Sequence, residues 1–296
     1  MSKIGFVGVG NMGGPMARNL FMAGDSVRAY DLSEVALDLA VRSGAERAVS
    51  ARDAATGVEF VITMLRDGTD VRNVFLNDGI LASADPGTLF IDTSTIDVET
   101  SVAVHEAASA AGFGMLDAPV SGGTAGATKG TLTFMCGGHN VVFEKAKTVL
   151  AAMGKSFVHC GGPGQGQVVK VCNNMVAGII SLATAEAFVM GEKLGVDRNV
   201  LFNIMSTSSA NSWVLNNVCP LPSGVPGVAD NREFKPGFAA KLMLKDLRLS
   251  QVAAQISGSA TPLGAAAAAA YQQHINNGHG DLDNTSICKL INPEIE

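Results

Sequence analysis

Lys170 and Asn174 stand i and i+4 in the run Gly166-Gln167-Val168-Val169-Lys170-Val171-Cys172-Asn173-Asn174, so on a helix they share one face. A lysine and an amide turned together into an interdomain cleft can manage one hydroxyl, the amide orienting it and the amine exchanging its proton. Taken by itself, a lysine near a helix start is more often a solvated side chain. A second group is Asp117-Ala118-Pro119-Val120-Ser121-Gly122-Gly123, at the end of a strand-like run. Ser121 with the N–H groups of Gly122 and Gly123 could surround a carboxylate. The same spacing reads equally well as an ordinary glycine-rich turn. None of the five histidines sits beside a motif, and no Cys or His pair has zinc spacing, so no metal is expected.

A third group is Gly8-Val9-Gly10-Asn11-Met12-Gly13, which follows an apolar run and opens a helix with Pro15 in its first turn. Gly8 permits the tight turn, Gly10 lets the backbone approach a pyrophosphate, and Gly13 lets helix and strand pack closely. The helix N-terminus offers N–H groups and partial positive charge to phosphate. Asp31, 23 positions after Gly8, ends the next strand-like run. A carboxylate there accepts from adenosine ribose hydroxyls and repels a 2′-phosphate, which points to NAD rather than NADP. Arg28 lies within that run rather than at its tip and is not read as a phosphate clamp. Met64-Leu65 and Thr93-Ser94-Thr95 end later runs on the same edge and are candidates for the dinucleotide, with plain strand ends as the other reading.

These groups need a scaffold that brings strand ends together. The first half alternates short apolar runs with helix-like stretches, the pattern of parallel βαβ units. Strands are expected at Lys3–Val9, Ser26–Asp31, Phe60–Leu65, Thr88–Asp92 and Gly114–Ala118, then at Thr131–Cys136 and Ser156–Cys160. Helices are expected at Pro15–Ala23, Glu34–Ser43, Val71–Leu76, Val98–Ala111 and Phe143–Met153. Beyond Gly161-Gly162-Pro163-Gly164 the pattern is helical: a long stretch from Gln165 to Leu194, then Arg198–Met205, Lys241–Ser257 and Leu263–Asn277, interrupted by a Pro- and Gly-rich loop from Cys219 to Gly237. The expected fold is α/β: a Rossmann-type doubly wound sheet over residues 1–164, joined by a long helix to an all-α domain over 165–296.

Hydrophobic residues make up 47% of the 296 and charged residues 16%, the balance of a well-buried globular chain. With a net charge of −6 and no Lys or Arg run, nucleic acid and anionic membrane surfaces are poor partners. Met175 to Gly191 is apolar except for Ser181, Thr184 and Glu186; it is short for a span and is read as a buried helix between domains. Five scattered cysteines do not make a disulfide framework. With no signal or transit segment ahead of the first strand, a cytoplasmic protein is expected. The apolar helical half suggests self-association as a dimer or tetramer.

Residues 5–20, 91–95, 117–126 and 164–174, with the segment from Lys241 to Leu247, resemble the β-hydroxyacid dehydrogenase family in order and spacing, over essentially the whole chain. The resemblance implies a Rossmann domain and an all-helical domain joined by a long helix. It implies that Lys170 is the catalytic acid–base group and Asn174 orients substrate. It implies that Ser121, Gly122 and Gly123 hold a carboxylate, Thr95 lies at the nicotinamide, and Lys245 reaches the cofactor from the helical domain. Ile91-Asp92-Thr93-Ser94-Thr95-Ile96, Asp31, Ser208-Ser209 with Trp213, and the loop through Pro222, Pro226 and Gly227 are most similar to members acting on 3-hydroxyisobutyrate. The segment Val228 to Lys235, with Asp230, Arg232 and Glu233, is the weakest part of that likeness. The expected reaction is NAD-dependent oxidation of that acid to methylmalonate semialdehyde, a step of valine catabolism. Neutral Lys170 would take the alcohol proton, so burial and the positive ring would have to lower its pKa from the ordinary ~10.4. Serine, tartronate semialdehyde and succinic semialdehyde are the alternative substrates. A non-catalytic dinucleotide-binding scaffold is the alternative of another class, against which the retained Lys170 stands. A phosphogluconate-type enzyme would want a much longer helical half.

Overall fold

The computed structural model describes residues 1–77, 79–219 and 233–295. The chain divides into two compact units, Met1–Lys170 and Val171–Glu296. The division falls inside the helix Gln165–Lys193, six residues past the glycine cluster at which the sequence pattern changes.

Among its described residues the first unit holds a sheet of nine strands: β1 (Lys3–Val7), β2 (Ser26–Tyr30), β3 (Glu46–Arg47), β4 (Phe60–Thr63), β5 (Leu89–Asp92), β6 (Gly114–Asp117), β7 (Val120–Ser121), β8 (Leu132–Gly138) and β9 (Gly154–Gly161). Their order is β3-β2-β1-β4-β5-β6-β8-β7, with β9 also on β8. The strands from β1 to β6 run parallel, while β8 is antiparallel to β6 and β7. Order reverses at β1, which lies between β2 and β4, the switch point where such sheets open a crevice for a ligand. Register puts Val7, Thr63, Asp92 and Asp117 in one row at the carboxyl edge. Every candidate loop of this unit starts one residue beyond that row or close to it.

Helices cover both faces, so the strands read as continuous apolar runs split between two cores. Ile4, Phe6, Ile62, Ile91 and Leu116 pack into one core with Met16 and Leu20 of the first helix, Gly13–Met22. Val7, Val61, Phe90 and Met115 pack into the other with Phe75 and Val104.

Several elements depart from the sequence reading. β3 and β7 have two residues each, too few to carry a period of two. The stretch after Ser121, for which no helix was expected, is the helix Gly123–Lys129; its Gly-Thr-Ala-Gly-Ala-Thr composition has no apolar stripe to reveal it. The helix expected over Val71–Leu76 is Gly68–Arg72 continued by a π-helical turn, Asn73–Asn77.

In the second unit Gln165–Lys193 is followed by helices Arg198–Thr207, Trp213–Val218, Ala240–Ser257 and Pro262–His274, then a π turn at Ile275–His279 and short helices at Asn284–Ile287 and Cys288–Ile291. Its core contains Phe188, Val189, Leu215, Met243, Leu247, Tyr271 and Ile287. The long helix is apolar and long enough to cross a membrane by length and composition, and only 39% of its most apolar window is buried. The expectation of a buried helix therefore holds for one side only: Ala185, Phe188 and Val189 are buried, whereas Val176 is 50% and Met190 62% exposed. Pro222, Pro226, Gly227, Asp230 and Arg232 lie outside the described residues.

Candidate functional site

At the end of β1 the glycine turn has the three geometries its spacing requires. Gly8 sits at φ +92°, and a Cβ there would lie 2.3 Å from the Met64 carbonyl oxygen. At Gly13 a Cβ would lie 1.9 Å from the Gly8 carbonyl oxygen, so strand and helix touch through this glycine. Gly10 is exposed, and a Cβ there would meet nothing within 4 Å: open space that a pyrophosphate can enter. Asn11 is exposed and Met12, the N-cap, makes no side-chain cap, so the positive end of the helix is left to a phosphate. These residues fit a dinucleotide.

Asp31, one residue beyond β2, accepts the Val9 N–H on Oδ2 and the Ser33 N–H on Oδ1, each at 2.8 Å. The carboxylate is thus fixed against the glycine turn. Arg28 is directed elsewhere, donating to the Asp53 and Thr56 carbonyls and lying near Glu46 and Asp53 carboxylates.

The ends of β4 and β5 are tied by buried side chains. Asp92 Oδ1 accepts from the Ser94 hydroxyl at 2.6 Å and the Thr63 hydroxyl at 2.7 Å, and Ser94 Oγ accepts the Leu65 N–H at 2.8 Å. Thr93 Oγ1 donates to the Thr63 carbonyl at 2.6 Å. Burial pushes the Asp92 carboxyl above its ordinary pKa, and its Oδ2 has no hydrogen-bond partner among the described residues. This network brings Met64, Leu65 and the Thr93–Thr95 segment together on one edge, where Met64, Leu65 and Thr95 are partly exposed and Thr93 and Ser94 are buried.

The end of β6 leads into the anchor candidates. Ser121 closes β7, Gly122 follows at φ +130° and Gly123, at φ +60°, opens the helix Gly123–Lys129. Ser121 and Gly123 are partly exposed and Gly122 is exposed, so the group stays open to a ligand. Lys170, 7% exposed, lies in the second turn of the long helix.

In the second unit Asn174, 6% exposed, donates from Nδ2 to Asp246 Oδ2 at 2.5 Å. Lys245 Nζ lies 3.5 Å from Asp246 Oδ1, so the two candidates Asn174 and Lys245 form one polar cluster on two helices, with Asp246 only 2% exposed at its centre.

Three side chains in these arrangements escaped the sequence reading. Asp246 was visible only as the neighbour of Lys245; nothing local says that its carboxylate meets an amide 72 residues away. Asp117 opened the anchor motif but had no role in it. Gln167 lies three residues before Lys170, and that spacing was its only signal.

Family models for the NAD binding domain of 6-phosphogluconate dehydrogenase and for the NAD-binding of NADP-dependent 3-hydroxyisobutyrate dehydrogenase match residues 3–162 and 164–291. The chain is 44% identical to an NAD-dependent L-serine dehydrogenase of Pseudomonas aeruginosa, over 99% of both chains. It is 45% identical to a 3-hydroxyisobutyrate dehydrogenase of the same organism, over 98% of each. Among solved structures, a Mycobacterium tuberculosis 3-hydroxyisobutyrate dehydrogenase with L-serine superimposes at a TM-score of 0.93, with 42% identity over 99% of both chains. With a glycine turn that fits a dinucleotide and likeness over its whole length, the chain belongs to the β-hydroxyacid dehydrogenase family and is an NAD-dependent oxidoreductase.

Proposed function

We propose that this enzyme oxidises 3-hydroxyisobutyrate to methylmalonate semialdehyde with NAD, in the cytoplasm and as a step of valine catabolism, with Lys170 as acid–base group. The observation that carries the reading is the buried lysine in the second turn of the long helix, in a family whose substrates are small hydroxy acids. NAD, when bound, takes the hydride. Lys170 in its neutral form accepts the alcohol proton in oxidation and as ammonium returns it in reduction. Ser121 with the Gly122 and Gly123 N–H groups binds the substrate carboxylate, and Asn174 orients the hydroxyl. Gly8, Gly10, Asn11, Met12, Gly13 and Asp31 hold the dinucleotide, with Met64, Leu65 and Thr95 along its path and Lys245 as a further contact.

L-serine is the second reading, favoured by the 44% identical serine dehydrogenase. Serine differs by an ammonium where hydroxyisobutyrate has a methyl, and an ammonium wants an unshared anion. The acid beside Asn174 is Asp246, whose Oδ2 accepts the Asn174 amide at 2.5 Å and whose Oδ1, although it takes no hydrogen bond among the described residues, already faces the Lys245 ammonium at 3.5 Å. That supports the methyl-bearing acid. Exposed Met190, Ile204 and Trp213 support self-association as a dimer or tetramer, which sedimentation would check.

Lys170→Ala tests the assignment. It should keep the fold and NAD affinity while turnover falls by roughly 10² or more, the scale for losing a positioned acid–base group. Lys170→Arg should be nearly as damaging, because a guanidinium does not give up its proton in this range. A Lys170→Ala enzyme keeping more than about half the wild-type rate would make the lysine an ordinary helix residue.

A further inference from the structure

The first turn of the long helix is held by buried side chains that the mechanism above does not use. Asp117, with no exposed surface, accepts the Gly164 N–H at 2.9 Å and pairs with His105 Nε2 at 2.9 Å, both on Oδ1. Its Oδ2 accepts the Gln167 N–H at 3.0 Å. Gln167, equally buried, reaches the other way: Nε2 donates to the Ser94 carbonyl at 2.8 Å, and Oε1 accepts the Ile96 N–H at 3.1 Å. Those two bonds bracket Thr95. Lys170 follows three residues after Gln167, on the same side of the helix.

The backbone leaves no slack for this turn to shift. A Cβ at Gly166 would lie 2.2 Å from the Met135 carbonyl oxygen and 2.7 Å from Asp117 Oδ2. At Gly137 it would lie 2.5 Å from Asp117 Oδ1 and 2.7 Å from the Gly166 nitrogen. Two glycines therefore let the helix start press onto the end of β8 and the Asp117 carboxylate.

We propose that Gln167 and Asp117 are positioning residues for the reaction, fixing the first turn of the helix that carries Lys170 in register with the Thr93–Ile96 segment at the end of β5; this rests on the reading of Lys170 as acid–base group. A lysine amine sits at the end of four rotatable bonds, so its placement depends on where its backbone is held. Proton transfer needs a heavy-atom approach of about 2.6–3.2 Å. A displacement of about 1 Å can lower turnover by ~10²-fold. Gln167 is suited to the task because it donates and accepts at once. A glutamate would face the Ser94 carbonyl oxygen without a proton, and a methionine fills the volume with neither group.

The test uses the full-length enzyme, with Gln167→Met and Gln167→Glu as variants. The control is Thr88→Val, which removes the buried Thr88 hydroxyl bond to the Val58 carbonyl, 2.8 Å long, ahead of β5 at the opposite edge of the sheet. Each Gln167 variant should lose ~10- to 100-fold in kcat. NAD Kd should stay within about threefold, under 1 kcal/mol. The limb of the pH–rate profile that Lys170→Ala abolishes should move. In the apoenzyme, the rate at which an amine-reactive reagent labels Lys170, read by peptide mass, should change by at least about threefold, since access and mobility of the amine change with its turn. Thr88→Val should lower Tm and leave kcat and labelling as in wild type.

Folded Gln167 variants with kcat and labelling within about twofold of wild type would overturn the proposal. So would a Thr88→Val enzyme with the same loss of kcat, because lost stability alone would then account for it. If neither Gln167 variant accumulates as folded protein, Gln167 is a folding residue and the proposal is likewise overturned. Activity retained in Lys170→Ala would remove the functional reading itself, whereas an inactive Lys170→Ala beside a normal Gln167→Met removes only the positioning role.

Discussion

Asp31 accepts two backbone N–H groups at 2.8 Å, from Val9 and from Ser33, so its charge is held beside the glycine turn rather than free to swing away. A 2′-phosphate would meet that fixed charge. The enzyme should prefer NAD over NADP by at least about tenfold in kcat/KM, which is only ~1.4 kcal/mol of discrimination. Asp31→Ala should narrow the ratio and also weaken NAD itself, because the Val9 N–H loses its partner. Equal efficiency with both cofactors in the wild type would contradict this. Ser121 and its glycines make a separate prediction. Esterifying the substrate carboxylate should remove most turnover while NAD affinity stays unchanged, and a methyl ester turned over as well as the acid would place the carboxylate elsewhere.

Gly10 and Gly13 belong to one motif but do different work in the turn and helix they join. Gly10→Ala meets nothing within 4 Å, so Tm should hold while NAD binding weakens by about tenfold or more. Gly13→Ala drives a Cβ to 1.9 Å from the Gly8 carbonyl oxygen, so the unit itself should lose several degrees of Tm. Thermal melts and NAD titrations of the pair separate the roles. In the helical unit, His274 is buried with Nε2 at 2.7 Å from the Ser286 hydroxyl. Burial first, then the His279 ring and the Lys289 ammonium, lower its pKa to about 4 from 6.5. A depressed pKa means that the unfolded chain binds the proton more readily. Its contribution to stability is full above about 6.5 and is lost as pH falls toward 4. His274→Gln should flatten the acid limb of the unfolding midpoint; an unchanged limb would assign it to other groups.

At this scale much was legible in the sequence. β1, β4, β5 and β6 are short but largely continuous apolar runs of four or five residues, and the helices Gln165–Lys193 and Ala240–Ser257 carry enough residues to express a period. β3, β7 and the helix Gly123–Lys129 do not, being too short or too rich in small residues. At the candidate site, Gly8 to Gly13 and Asp31 were legible because a dinucleotide loop is built from one local stretch and the next strand. Gln167 and Asp246 were not. Gln167 bonds to Ser94 and Ile96 and Asp246 to Asn174, each 71 to 73 residues away, and such pairings exist only once the chain is folded.

Across the whole molecule, a dinucleotide that binds the folded Met1–Lys170 unit must also stabilise it. At a hundred times its Kd, NAD should add about 2.7 kcal/mol to the unfolding free energy of that unit. NADP at the same concentration should add less. What the molecule does with the bound cofactor turns on the second ligand. The most direct measurement is NADH formation by the wild-type enzyme with 3-hydroxyisobutyrate and with L-serine, over matched concentration series and repeated with NADP. kcat/KM for 3-hydroxyisobutyrate with NAD should exceed that for L-serine by at least about tenfold, about what exchanging one methyl for an ammonium beside an acid already paired with Lys245 should cost. Equal or higher kcat/KM with L-serine would give the enzyme to the amino acid, and NADH formation with neither would contradict the oxidation of a small 3-hydroxy acid altogether.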